Sequence, residues 1–222
     1  PGAYARGAIE LAPRSGRVLL IGVRSIGTSL SAAAGAGLRA RGVEVERLSV
    51  RPSGHAWDRQ CTFDERELER RRASTTECLI VDEGPGLSGS TFLAVGEALE
   101  RAGVARERIT FLTSHAVDAT RLLARDAARR WARFRSRAVD DRPPFIDALD
   151  LGAGRWRQLV YAREAEWPSS WTSIERRKFR LQGGTDLLKF VGLPPYGEAP
   201  LARAERLGRA GFCPPLAPER AG

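Results

Sequence analysis

The sequence predicts an α/β fold, a doubly wound and mainly parallel sheet followed by an irregular C-terminal extension. Three observations predict it. Short apolar runs alternate with Ala- and Leu-rich stretches at the spacing of βαβ units. Four of these runs end in polar or glycine-rich residues, as strands do where a parallel sheet faces a ligand. Beyond about residue 142 the alternation stops, prolines cluster, and tryptophans replace the regular pattern.

The elements follow in order. Arg17–Gly22 is a short continuous apolar run of the kind a fully buried parallel strand shows. After a loop over Val23–Gly27, Thr28–Arg41 reads as a helix capped by Thr28 and stopped by Gly42. Val43–Val50 alternates and is β-branched, which makes a second strand. Arg51–Phe63 is a polar loop, and Asp64–Arg72 a short charged helix. Cys78–Val81 is a third strand, Gly84–Gly89 a glycine-rich turn, and Thr91–Ala102 a helix closed by Gly103. Ile109–Leu112 gives a fourth strand, and Asp118–Arg135 is expected as one long basic helix. The first domain is therefore placed at residues 1–142 and the extension at 143–222, with Pro143-Pro144 at the break.

Composition narrows the class. The chain has 222 residues, 42% hydrophobic and 28% charged, which suits a soluble globular protein with a sizeable core. No apolar run reaches the roughly 18 residues of a membrane helix, so no membrane partner is expected and the cytoplasm is the expected location. Cys61, Cys78 and Cys213 are far apart without CxxC spacing, which argues against a zinc site or a disulfide framework. The net charge is +9, with 34 arginines and two lysines, Lys178 and Lys189. Arginine forks suit phosphate, but here they are mixed with acidic residues along helices, and no recognised RNA module accompanies them. Phosphorylated ligands and nucleic acid both remain open as partners at this level. The chain starts Pro1-Gly2, lacks methionine and stops inside a pattern, so it reads as a segment of a longer protein.

Chemistry concentrates in Cys78–Thr91. A buried strand delivers two consecutive carboxylates, Asp82 and Glu83, and a small-residue turn then opens a helix. The helix start offers unpaired amides to a phosphate. Gly86 and Gly89 let the backbone approach, and Ser88, Ser90 and Thr91 add hydroxyls. Adjacent carboxylates suit sugar hydroxyls, directly or through a divalent metal. Read as structure alone, the same residues would cap a helix and leave two solvated acids.

This stretch resembles the phosphoribosyl-pyrophosphate (PRPP) binding motif of type I phosphoribosyltransferases. Four apolar residues precede two acidic ones and a Gly/Ser/Thr-rich loop, although Gly84-Pro85-Gly86 makes the turn about one residue longer than the common pattern. The resemblance covers about residues 15–135 and implies a sheet of the type I phosphoribosyltransferase kind. It implies that Asp82 and Glu83 contact the ribose hydroxyls, with Mg²⁺ held through those hydroxyls or water. Gly86, Leu87, Ser88, Gly89, Ser90 and Thr91 would then hold the 5′-phosphate. A second match lies about 60 residues earlier, where Ile21–Gly27 occupies the family's pyrophosphate-loop position. There Val23, Arg24, Ser25 and Ile26 would face the pyrophosphate.

Arg51, His55 and Arg59 follow the second strand, where the family often carries a mobile flap. They would bind pyrophosphate or act in proton transfer, with His55 as the general acid or base or, alternatively, as a plain loop histidine. Orotate-type members use flap lysines, and no lysine precedes Lys178. His115, at the fourth strand end, would help hold the base or product phosphate. The implied reaction is transfer of phosphoribosyl between PRPP and a nucleobase or base-like acceptor with release of pyrophosphate, a step of nucleotide metabolism. The alternatives are a non-catalytic PRPP- or nucleotide-binding regulatory module, or an RNA-binding protein. A homodimer is the assembly common in the family.

In the extension, Lys189 in an apolar strand, Glu205 on a following helix and the Gly183-Gly184 turn faintly resemble the N-lobe of a kinase-like phosphotransferase. This would make the segment the start of a fused kinase-like domain. The competing expectation is a structural appendage packed around its tryptophans.

Overall fold

The computed structural model describes residues 2–12, 16–72, 75–139, 148–172, 174–192 and 195–216. The chain divides into two compact units, residues 1–142 and 143–222. The Pro143-Pro144 break lies outside the described residues.

In the first unit the chain runs α1 (Gly2–Leu11), β1 (Arg17–Val23), α2 (Ile26–Ala40) and β2 (Glu44–Val50). A small hairpin follows, β3 (Ser53–His55) and β4 (Asp58–Gln60). Then come α3 (Glu65–Arg72), β5 (Thr75–Val81), α4 (Ser90–Arg101), β6 (Ile109–Thr113), α5 (Ala127–Trp131) and β7 (Arg135–Ala138). The main sheet has the order β2-β1-β5-β6-β7, and every pairing in it is parallel. This is the parallel α/β architecture that the sequence predicts.

Alternation along the strands divides the apolar side chains between two cores. Leu19, Ile21, Cys78, Ile80, Ile109 and Phe111 face α4 and α5, where Phe92 and Trp131 pack against Phe111 at ring separations of 5.2 and 4.7 Å. Val18, Leu20, Leu79, Val81 and Leu112 face the other way, onto Tyr4 and Ala8 of α1 and Ala34 and Leu38 of α2. A strand buried on both faces is apolar at most positions, which is why β1, β5 and β6 carry apolar runs, with Glu77, Thr110 and Thr113 as buried polar exceptions. Burial pushes the Cys78 thiol up to about 12 and the Cys61 thiol to about 11, so both are small core hydrophobes.

Three expectations need correction. Asp118–Arg135 is not one helix. Asp118 caps a single 3-10 turn over Ala119–Arg121 by accepting from the Thr120 amide at 3.1 Å and hydroxyl at 2.6 Å. The Leu123 and Ala124 amides then donate to the carbonyls of Leu87 and Ser88, so no helix propagates through them. What remains is the short α5 and a fifth strand, β7. Second, part of the polar loop after β2 is the β3–β4 hairpin. Third, Thr28 does not cap α2. The helix starts at Ile26 with Ser25 at the cap position, and the Thr28 hydroxyl oxygen is buried without a hydrogen-bond partner among the described residues. No apolar-periodic signal marked α1, which packs through Gly7 and Ala8.

The second unit holds an antiparallel sheet of β8 (Ala148–Asp150), β9 (Lys178–Leu181) and β10 (Leu187–Lys189), with the Gly183-Gly184 turn between the last two. A short α6 (Arg157–Val160) precedes β9, and α7 (Glu198–Arg209) follows β10. Glu175 organises this unit, accepting from the Gly154 amide at 2.6 Å, the Trp156 indole at 2.8 Å and the Lys178 ammonium at 3.0 Å. Lys189 is exposed on β10, and Glu205 pairs with Arg209 of its own helix at 3.5 Å. The lysine–glutamate pair of the kinase-like resemblance is not made among the described residues.

Candidate functional site

The chain leaves β1 toward β2 on one side and continues from β5 to β6 and β7 on the other. The point of reversal therefore lies between β1 and β5, and parallel sheets open a crevice outside the carboxyl ends of such strands. Here the crevice has a volume of about 390 Å³. Ser25 and Ile26 line it from the exit of β1, Asp82, Glu83, Gly84 and Gly86 from the exit of β5, and Ser114 and His115 from the exit of β6.

The acidic pair is held by its backbone. The Asp82 amide donates to the Leu112 carbonyl at 3.4 Å, and the Ser114 amide to the Glu83 carbonyl at 2.8 Å. The Tyr4 hydroxyl donates to the Asp82 carbonyl at 2.7 Å. The Asp82 carboxylate accepts from the Glu83 amide at 2.9 Å and from the Gly27 amide of the first loop. Burial raises its pKa above the ordinary carboxylate value, while the two amides pull in the opposite direction. Asp82 thus ties the two loops together, and Glu83 lines the crevice beside it.

The first loop can come this close because residue 27 has no side chain. A Cβ on Gly27 would stand 2.2 Å from the Val81 carbonyl oxygen. Arg24 continues the sheet by donating its amide to Val50 at 2.9 Å, and the Arg24–Ser25 peptide is cis. Arg24, Ser25 and Ile26 are exposed, as is Arg51 at the neighbouring exit of β2. Among the described residues neither guanidinium has a hydrogen-bond or ion-pair partner, so both can meet an anion at the start of α2. Val23 is different, with its side chain 2% exposed inside the sheet.

The second loop is engaged on its far side. Ser90 is buried, its hydroxyl donates to the Ala56 carbonyl at the hairpin tip at 2.7 Å, and the Ser88 hydroxyl lies 2.9 Å from it. Gly89, in the left-handed region, and half-buried Thr91 complete the turn into α4, while Leu87 is exposed. The hairpin is pinned over the start of α4. On it, the His55 ring accepts from the Trp57 amide at 3.3 Å, and Arg59 donates to the Pro52 carbonyl at 3.3 Å.

His115 stacks against bare backbone, since a Cβ on Gly84 would meet its Cε1 at 2.8 Å. Its Nδ1 shares a hydrogen bond with the Ser114 hydroxyl at 3.0 Å. The crevice therefore gathers Ser25, Ile26, Asp82, Glu83, Gly86 and His115 among the sequence-predicted residues. Arg24, Arg51 and residues 87–91 lie on adjoining strand exits and loops, and His55 and Arg59 sit on the hairpin. Sequence reasoning missed Tyr4, Gly27 and Ser114 as site residues, because their links to Asp82, Glu83 and one another join positions far apart in the chain and leave no spacing signal. Among the described residues no group of three or more His, Cys, Asp or Glu side chains could hold a metal by itself.

No protein-family model matches the chain, and no curated protein matches it. Among solved structures, it is similar to the hypoxanthine-guanine phosphoribosyltransferase of L. donovani, with 15% identity and a TM-score of 0.37 over 72% of this chain and 89% of that one.

Proposed function

We propose that the chain is a phosphoribosyltransferase that moves phosphoribosyl between PRPP and a nucleobase or base-like acceptor, releasing pyrophosphate. The observation that carries this reading is that the Asp82–Glu83 pair meets the first loop, through Ser25 and Ile26, and the start of the second loop, through Gly86, at one crevice. Pyrophosphate would lie against the start of α2 with Arg24 and Arg51, and the 5′-phosphate would lie in the loop opening α4. The ribose would span the gap, its hydroxyls on Glu83 and Asp82. His115 would face the acceptor, and the β3–β4 hairpin would cover the bound substrate.

Displacing pyrophosphate from an anomeric carbon passes through an oxocarbenium-like centre, so positioning, neutralisation of the leaving group and exclusion of water count for more than a strong nucleophile. Mg²⁺ fits this site, because it keeps several waters and binds through one or two carboxylates together with substrate phosphates. When bound, it would neutralise the leaving pyrophosphate, and Asp82 and Glu83 would hold it through ribose hydroxyls or water. The protein's own contribution is then the fixed carboxylate pair and the guanidinium groups.

Calorimetric titration with PRPP, with and without Mg²⁺, tests this. Magnesium-dependent binding is expected in the wild type. It should weaken at least tenfold, about 1.4 kcal/mol, in Glu83→Gln and further in Asp82→Asn/Glu83→Gln. A folded wild type that ignores millimolar PRPP would sink the reading. Binding without turnover across a panel of bases would leave a regulatory module in its place.

A further inference from the structure

The Tyr4 phenol meets the acidic pair from 78 positions away in the sequence. It donates to the Asp82 carbonyl at 2.7 Å and has the Ser114 hydroxyl as a further partner. Ser114 extends the link, its amide donating to the Glu83 carbonyl at 2.8 Å and its hydroxyl sharing a hydrogen bond with His115 Nδ1 at 3.0 Å. One phenol therefore joins the exit of β5, which carries the carboxylates, to the exit of β6, which carries His115.

The side chain that makes this link is itself firmly seated. Tyr4 is 4% exposed, and its helix lies so near α2 that a Cβ on Gly37 would stand 2.7 Å from the Ala5 Cβ. Burial and then the Asp82 and Glu83 carboxylates raise the phenol far above its ordinary pKa, so it stays a neutral donor. Phenylalanine would fill the same apolar space between α1, α2 and the sheet. The hydroxyl is thus dispensable for packing, and its partners are the backbone of the site.

We infer that Tyr4 is a positioning residue, whose hydroxyl sets the spacing between the Asp82–Glu83 pair and the Ser114–His115 side of the crevice. The inference rests on the phosphoribosyl reading above, in which the first pair holds the sugar and the second faces the acceptor. Such spacing matters because catalysis by positioning is sensitive to displacements of about 1 Å.

The test is Tyr4→Phe in the full chain, titrated with PRPP and Mg²⁺ and separately with inorganic phosphate. PRPP affinity is expected to fall about fivefold, the equivalent of one net hydrogen bond. Inorganic phosphate, which spans neither the ribose nor the acceptor side and needs only the loops opening α2 or α4, should bind as it does to the wild type. Hydrogen exchange at the Ser114 amide should quicken by a similar factor. Unchanged PRPP affinity overturns the positioning role and leaves the phosphoribosyl reading standing. A proportional loss of both ligands also overturns it, because Tyr4 would then only support the fold. A wild type that takes phosphate but not PRPP overturns the reading itself, and the role of Tyr4 with it.

Discussion

Gly27 shows how much of the site depends on one missing methyl group. Its neighbour is the Val81 carbonyl oxygen, 2.2 Å from where a Cβ would stand, and a backbone atom inside a sheet cannot swing aside. Gly27→Ala must push α2 away from β5 and pull the Gly27 amide from the Asp82 carboxylate. Overpacking of this kind costs about 1–3 kcal/mol, which for a chain of this size lowers the melting temperature by several degrees, about 2–4 °C per kcal/mol. A thermal melt unchanged by the substitution would show that the two loops are not in contact. In the second unit, Glu175 makes a pH prediction. Three donors, led by the Gly154 amide, hold its carboxyl at about 2 against an ordinary 4.5. A depressed carboxyl contributes stability that is fully present above its unfolded pKa and is lost as pH falls through the folded one. Tryptophan fluorescence of the wild type should therefore report a loss between about pH 4.5 and pH 2. Glu175→Gln should be less stable at neutral pH and lose less across that window. An identical acid profile would rule Glu175 out as the titrating group.

Among elements, the β3–β4 hairpin is held to α4 by a hydroxyl and a carbonyl. Ser90→Ala removes the bond to Ala56, and a neutral hydrogen bond of about 1 kcal/mol predicts roughly fivefold faster exchange of the amides over Ser53–Gln60. The amides of β1 and β5 should be unaffected, and a uniform rise across the sheet would mean global destabilisation instead. This latch could not be read from the sequence. Ser90 looked like one more hydroxyl for phosphate, since nothing in Gly84–Thr91 shows that its side chain turns toward Ala56, 34 residues earlier. The Asp118–Arg135 stretch misleads for the same reason. Its composition suits a helix, but the amides of Leu123 and Ala124 are taken by the carbonyls of Leu87 and Ser88, a tertiary contact that overrides local preference.

At the scale of the whole molecule, legibility follows burial. The strands β1, β5 and β6, covered on both faces, announce themselves as apolar runs, and with them come the strand exits and most of the crevice. Tyr4 stays hidden because its partner is a carbonyl, and any residue can supply one. The outermost strand, β7, stays hidden because its sequence is Arg-Ser-Arg-Ala, mostly exposed, with no apolar face to detect. Those arginines are nevertheless placed. Arg135 reaches the Glu77 carboxylate, which also accepts from Thr110 at 3.2 Å, and Arg137 pairs with Glu10 of α1 at 2.9 Å. At the opposite border, β2 carries Glu44, Glu46 and Arg47.

Charge at both margins has a colloidal consequence. A sheet border presents unpaired amides and carbonyls that could template a strand from another molecule, and ionic side chains there discourage such recruitment. Ser136→Val/Arg137→Ile keeps the Arg135–Glu77 pair yet makes β7 apolar. Light scattering of this variant should rise with protein concentration and on standing, whereas the wild type should stay clear at the same concentrations. The poverty of signal that conceals the last strand from a reader would then be the feature that keeps the sheet from growing past it.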